Sequence, residues 1–214
     1  MEEQLLWIAN MIGAVACGIS GAMMAVDRGM DIIGVLFLGS VTATGGGILR
    51  DVLLGQVPPQ MFTHSEFLAA AAGVSLVVFL LACRLYGRIQ RRRELLDQIM
   101  NLFDAVGLSA FGVAGIQTAV AAGYGNNHLL VLFMGVTTAI GGGVLRDVLC
   151  SRVPFVLHKR VYFLAALGGC IVYDLLYPHR PLLAMLLAIV LVTTIRLLAA
   201  RFRWSMPRIK PFEK

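Results

Sequence analysis

Most of this chain consists of apolar stretches, each long enough to cross the hydrocarbon core of a bilayer as a helix. There are seven of them, at residues 4–26, 30–54, 66–86, 98–122, 128–150, 160–177 and 181–201. A helix needs about 20 apolar residues to cross the bilayer, and 58% of this chain is hydrophobic while only 14% is charged. We therefore predict an all-α integral membrane protein with seven transmembrane helices, TM1 to TM7, in a single membrane domain that covers residues 1–214.

The positions of lysine and arginine predict how these helices are oriented. If the N-terminus lies outside, all but two of the 18 basic residues fall on the cytoplasmic side, the exceptions being Arg50 and Arg180. This asymmetry is what the positive-inside rule describes. Residues 202–214 then form a basic cytoplasmic tail. The run RIQRRRE is a short loop between two spans, so we expect it to face anionic lipid and not nucleic acid.

The chain also contains an internal repeat. TATGGGILRDVLLGQVP, from Thr42 to Pro58, aligns without gaps on TAIGGGVLRDVLCSRVP, from Thr138 to Pro154. A unit of three spans that occurs twice must cross the membrane in opposite directions. We therefore predict a 3+3 inverted repeat, with repeat 1 at 4–86 (TM1–TM3) and repeat 2 at 98–177 (TM4–TM6), followed by TM7 at 181–201. Inverted repeats with glycine-interrupted segments at matching positions point to a permeation pathway.

Each copy of the motif places three consecutive glycines inside a span, namely Gly45, Gly46 and Gly47 in TM2 and Gly141, Gly142 and Gly143 in TM5. Each glycine weakens a helix by roughly 1 kcal/mol relative to alanine. We expect TM2 and TM5 to be kinked or discontinuous at these glycines, as the hinges of a pore. The alternative is close packing, because small residues let helices approach one another.

An arginine and an aspartate follow each set of glycines. We expect Arg50 and Arg146 to satisfy carbonyls that a helix break exposes, and Asp51 and Asp147 to serve as buried counter-charges. Neighbouring side chains on a helix point about 100° apart, so we expect each arginine to meet a group on another span. The alternative for Arg146 and Asp147 is snorkelling to the cytoplasmic face.

Further polar residues lie near the motifs. Four threonines could coordinate a dehydrating ion, or could bond back to their own helix as is commoner; they are Thr42, Thr44, Thr137 and Thr138. Asp104 and Asp174 are further acidic candidates, and Asn10 holds the place in repeat 1 that Asp104 holds in repeat 2. The cysteines and histidines show no metal-ligand spacing, so we expect neither a metal site nor a cofactor.

With Gly-Gly-Gly-x-Leu-Arg-Asp in TM2 and again in TM5, within a 3+3+1 layout, the sequence resembles the trimeric intracellular cation (TRIC) channel family in its bacterial form. The resemblance covers nearly the whole chain. It implies a homotrimer in a bacterial cytoplasmic (inner) membrane, in which each protomer carries its own pore for monovalent cations, chiefly potassium. The same bacterial domain is also labelled UPF0126 or glycine transporter. The Lys-Glu-Val stretch of the animal members is absent, so lipid and calcium regulation of the animal kind is not expected.

Two functions follow from this. The first is a potassium channel whose partners are two further copies of itself, membrane lipids and the cation. The alternative is a secondary transporter of glycine or another small amino acid, because two buried arginines would favour a carboxylate. An enzyme is not expected, because no Ser/His or His-Glu-x-x-His arrangement occurs.

Overall fold

The structure is a computed structural model that describes residues 2–91, 93–158, 160–202 and 204. Apart from residues 202 and 204, the predicted basic tail lies outside the described residues. The described part of the chain is helical, without strands. Its elements are α1 (Glu2–Asp27), α2 (Ile32–Leu53), α3 (Gln60–Thr63), α4 (Ser65–Arg91), α5 (Arg93–Ala119) with a π-helical extension (Val120–Tyr124), α6 (His128–Leu149), α7 (Phe155–His158), α8 (Arg160–Leu176) and α9 (Pro181–Arg201).

Within the described residues, six helices are long and apolar enough to cross a bilayer. They are Glu3–Asp27, Ile32–Leu53, Ser65–Leu85, Glu94–Tyr124, His128–Leu149 and Pro181–Arg201. The remaining predicted span, TM6, is the shorter apolar helix Val161–Leu176. It ends just before Pro178, which cannot continue a helix. The chain is thus an all-helical, multi-pass membrane protein.

The two helices that carry the glycine motif begin in the same way. The Asp31 side chain accepts a hydrogen bond from the Gly34 backbone N–H at 2.8 Å, and Asn127 accepts one from Leu130 at 3.1 Å. Each cap satisfies one of the unpaired N–H groups at a helix start. The caps therefore fix the starts of α2 and α6 at corresponding positions of the two motifs.

These two helices pack against each other, and α1 packs against α5 beside them. On one side α4 lies against α1 and α2, and on the other side α8 and α9 lie against α5. Small buried residues such as Ala9, Ala14 and Ala114 occupy these contacts, as is typical where helices associate by close packing in lipid. Most of the buried polar residues are on α1, α2, α5 and α6.

Both helices run through their glycines without interruption. A discontinuous helix at these positions is therefore wrong, while a bend within a continuous helix stays a prediction. The glycines instead allow the helices to touch. A Cβ at Gly46 would collide with the Thr138 carbonyl oxygen, and one at Gly142 with the Thr42 carbonyl oxygen. Close packing explains Gly46 and Gly142, because only glycine lets the two backbones approach this far.

Candidate functional site

The motif arginine of α2 lies in what we call the Arg50 cluster, made of Asn10, Arg50, Asp51 and Gln60. The Arg50 Nε donates to Asp51 Oδ1 at 2.8 Å, and its NH2 donates to Gln60 Oε1 at 3.2 Å. Arg50 and Asp51 are 2% and 1% exposed. The expectation that neighbours on the helix would not pair is wrong, because both side chains turn toward the chain segment that returns at Gln60.

The aspartate of each motif also holds the loop that follows it. Asp51 Oδ2 accepts a hydrogen bond from the Gln60 backbone N–H at 2.8 Å, at the start of α3. Asp147 Oδ2 accepts one from Phe155 at 2.9 Å, at the start of α7. Each carboxylate thus binds an arginine with one oxygen and the returning backbone with the other. The arginines are bound by side chains, so the expectation that they would satisfy carbonyls freed by a helix break is wrong.

The second arginine belongs to the Arg146 cluster, made of Ser20, Asp104, Arg146, Asp147 and Arg196. Arg146 Nε donates to Asp147 Oδ1 at 3.0 Å. Its NH1 donates to Asp104 Oδ1 at 2.6 Å and to Ser20 Oγ at 2.7 Å. Arg146 is 0% exposed and Asp147 is 1% exposed. Snorkelling of this pair to the membrane surface is therefore wrong, since both side chains are enclosed by protein.

The second arginine of this cluster was not among the predicted site residues. Arg196 was counted with the basic residues of the cytoplasmic end, but it lies on α9 and is only 4% exposed. Its NH2 is 3.7 Å from Asp104 Oδ2, and its guanidinium carbon is 4.5 Å from the centre of the Tyr162 ring. The available signal was an arginine within an apolar span, which ordinarily faces the interior of a helix bundle.

A small cavity lies beside the Arg50 cluster. Its volume is about 30 Å³, which is room for about two water molecules. Among the described residues, Arg50 NH1 has no hydrogen-bond partner. The lining combines the cluster with Gly47, Thr44 and apolar side chains, which are Ala14, Ala43, Met61, Phe67 and Phe111. A Cβ added at Gly47 would lie 3.7 Å from Arg50 NH2, so the glycine leaves this space open.

Asn10 and Asp104 lie beside the arginines of their own motifs, as their matching places in the sequence indicate. Asn10 lines the cavity next to Arg50, whereas Asp104 binds Arg146 directly. The other acidic candidate, Asp174, belongs to neither cluster, because it pairs with His128 at 2.7 Å. The two motifs therefore differ most in the charge that their surroundings supply.

Three of the four candidate threonines bond back to their own helix, which was the alternative to binding an ion. Thr42, Thr44 and Thr138 donate to the carbonyls four residues before them, at 2.6, 2.8 and 2.6 Å. Thr137 is half-buried. These bonds go back to the same helix, so coordination of an ion by the four threonines stays a prediction.

Comparison with known proteins agrees with this architecture. The family model described as "Glycine transporter" matches residues 7–82 and again residues 101–178. The Escherichia coli (strain K12) UPF0126 inner membrane protein YadS is 34% identical over 206 residues, which are 95% of each chain.

Two solved structures are also similar over nearly the full length. One, described as the structural basis for conductance through TRIC cation channels, is 36% identical with a TM-score of 0.80, over 97% of this chain and 98% of that chain. The TRIC trimeric intracellular cation channel orthologue from Rhodobacter sphaeroides is 30% identical with a TM-score of 0.82, over 93% and 98%. This chain therefore belongs to the bacterial TRIC family, whose members are also named UPF0126 membrane proteins and whose family model is described as "Glycine transporter".

Proposed function

We propose that this chain is a homotrimeric, potassium-conducting cation channel of a bacterial inner membrane, with one pore in each protomer. The proposal is supported by the match to TRIC cation channel structures over nearly the full length of both chains. The inner membrane is supported by the name of the E. coli relative. The trimer is supported by the description of the Rhodobacter sphaeroides channel as trimeric.

The observation that carries the choice of a cation is the neutralisation of both motif arginines. Arg50 is paired with Asp51, and Arg146 is bound by Asp147 and Asp104. A free buried guanidinium would repel a cation and attract a carboxylate. Pairing removes this barrier, so a cation can pass arginines that would otherwise favour an anionic cargo.

The same geometry disfavours the alternative, a glycine carrier. The unpaired Arg50 NH1 faces a cavity of about 30 Å³, whereas glycine has five heavy atoms and needs more space than two water molecules. The guanidinium of Arg146 is already bound by two aspartates and Ser20. Binding glycine at Arg146 would therefore require one of these groups to leave.

The proposed path runs between α1, α2, α5 and α6, from the Arg50 cluster to the Arg146 cluster. It passes beside the contact at Gly46 and Gly142, because the backbones touch there and leave no space for an ion between α2 and α6. With the N-terminus outside, the Arg50 cluster lies toward the outer face and the Arg146 cluster toward the cytoplasm.

An inverted repeat would place one copy of the motif at each end of this path, in the Arg50 cluster and in the Arg146 cluster. It is supported by the family model, which matches two successive segments of the chain. It is also supported by the reciprocal contacts, since Gly46 touches Thr138 as Gly142 touches Thr42. A pseudo-two-fold axis in the membrane plane would pass through this crossing.

The test uses purified protein in liposomes. Potassium flux is measured under an imposed potential, and uptake of labelled glycine is measured on the same preparation. The proposal predicts voltage-driven potassium flux that exceeds that of empty liposomes, without saturable glycine uptake. Saturable glycine uptake with little uncoupled current would show that the chain is a transporter and would overturn the proposal.

A further inference from the structure

Arg196 is the one residue of the two clusters that lies outside the predicted repeats. It is supplied by α9, which follows repeat 2, so repeat 1 has no corresponding helix and no corresponding arginine. Arg196 is nevertheless as deeply buried as Asp104, each being 4% exposed. A charged side chain in such a place needs a specific reason, because burying it in a membrane protein costs several kcal/mol.

The charges of the two clusters indicate this reason. The Arg50 cluster contains one guanidinium and one carboxylate, with the neutral Asn10 at the third position. The Arg146 cluster has the carboxylate of Asp104 at that position and has Arg196 in addition. The extra negative and the extra positive charge thus occur together, and both clusters are neutral as a result.

Asp104 and Arg196 are close enough to balance each other's charge but do not form a hydrogen bond. Asp104 Oδ1 is held by Arg146 NH1 at 2.6 Å, but Asp104 Oδ2 has no hydrogen-bond partner among the described residues. Arg196 NH2 lies 3.7 Å from that oxygen. The Arg196 Nε likewise lacks a partner there, and the guanidinium is held over the Tyr162 ring.

We infer that Arg196 determines the cation conductance and selectivity of the pore by cancelling the charge of Asp104 at the Arg146 end of the path. The inference rests on the proposed channel function. With Arg196 present, the cluster is neutral and a passing cation meets no net attraction. Without it, the cluster carries one net negative charge in a narrow, low-dielectric place. Clefts lined by one sign of charge raise the local concentration of counter-ions by roughly 10- to 1,000-fold, and for one charge we take the lower end, about tenfold.

The test is a series of variants that sets the net charge of the cluster. Potassium flux into liposomes and the reversal potential in a KCl gradient are measured for wild type, Arg196→Gln, Asp104→Asn and the double variant. Net charge is then 0, −1, +1 and 0 in that order. We expect Arg196→Gln to raise potassium flux about tenfold and to increase cation over chloride selectivity. We expect Asp104→Asn to do the reverse, and the double variant to return to within about twofold of wild type.

Two further variants separate charge from structure. Arg196→Lys keeps the charge and should conduct like wild type, whereas Arg201→Gln removes an exposed arginine of the same helix and should have no effect. If Arg196 had only a structural role, Arg196→Gln would instead be less stable to heat, and the double variant would not return to the wild-type potassium flux. If Arg196→Gln alone fails to fold, the potassium fluxes of Asp104→Asn and of the double variant still test the inference, because their clusters differ by one charge.

The outcomes distinguish the two proposals. Absence of potassium flux in the wild type overturns the channel function itself. A conducting wild type in which Arg196→Gln matches Arg201→Gln overturns the role of Arg196. Equal fluxes for Asp104→Asn and the double variant also overturn it.

Discussion

The contact at Gly46 makes a sharp prediction for alanine substitution. In a lipid-exposed helix, alanine ordinarily gains up to about 1 kcal/mol over glycine. At Gly46, however, the new methyl group would collide with the Thr138 carbonyl oxygen, which is part of a helix and cannot rotate away. Overpacking of this kind costs about 1–3 kcal/mol. Because the obstacle is backbone, we take the upper end of this range, about 3 kcal/mol. The gain of about 1 kcal/mol in helix propensity offsets part of this cost, so Gly46→Ala should be about 2 kcal/mol less stable than wild type.

The measurement is the free energy of unfolding in mixed micelles as the SDS fraction is raised. Gly73→Ala is the matched control, because Gly73 lies in α4 with nothing within 4 Å of the added methyl position; it should be neutral or stabilised by up to about 1 kcal/mol. Gly142→Ala should behave like Gly46→Ala. The double variant should cost little more than either alone, since one separation of α2 from α6 relieves both collisions. Equal stability of Gly46→Ala and Gly73→Ala would refute the close contact, and full additivity would refute a shared crossing.

Three further predictions follow from the site and its orientation. Arg146→Lys should lose about 3–5 kcal/mol of stability, measured in the same SDS titration, because lysine lacks the planar fork and leaves a buried carboxylate unpaired; a loss below about 1 kcal/mol would contradict this. Thr138→Val should change potassium flux by less than about twofold, because the hydroxyl is bonded to its own helix; a loss of flux would make that oxygen an ion ligand. In a Cys83→Ser background, a cysteine at Gln56 should react in intact cells with a membrane-impermeant maleimide, and one at Ser151 should react only after lysis; the reverse pattern would invert the topology.

Much of the fold could be predicted because the bilayer restricts the choices. Apolar stretches of about 20 residues can hardly be anything other than spanning helices, and six of the seven appear as such. The duplicated motif also pointed to the correct pair of helices, α2 and α6. What failed was the inference that three glycines interrupt a helix. Helix propensity favours a break there, but the contact between α2 and α6 overrides it. No local pattern reports a partner such as Thr138, which is far from Gly46 in the sequence.

The site was predicted less completely than the fold. Arg50, Asp51, Arg146 and Asp147 are all buried in clusters, as charged residues at membrane depth ordinarily are. Their partners were not predictable from the period of a helix, since the pairing within each Arg-Asp dipeptide depends on how the chain returns after α2 and α6. Arg196 was missed because counting basic residues for topology treats every arginine near a helix end as solvent-exposed.

The return segments have one more consequence, for the evolution and engineering of this chain. Surface connections usually tolerate changes in length better than any other part of a fold. Between Asp51 and Gln60 this freedom should be lost, because the carboxylate that grips the Gln60 backbone also holds the Arg50 guanidinium. A single inserted or deleted residue there would displace the buried pair of Arg50 and Asp51. The equivalent segment from Asp147 to Phe155 has the same restriction. In this protein the length of a loop is therefore as much a part of the site as the residues that line it.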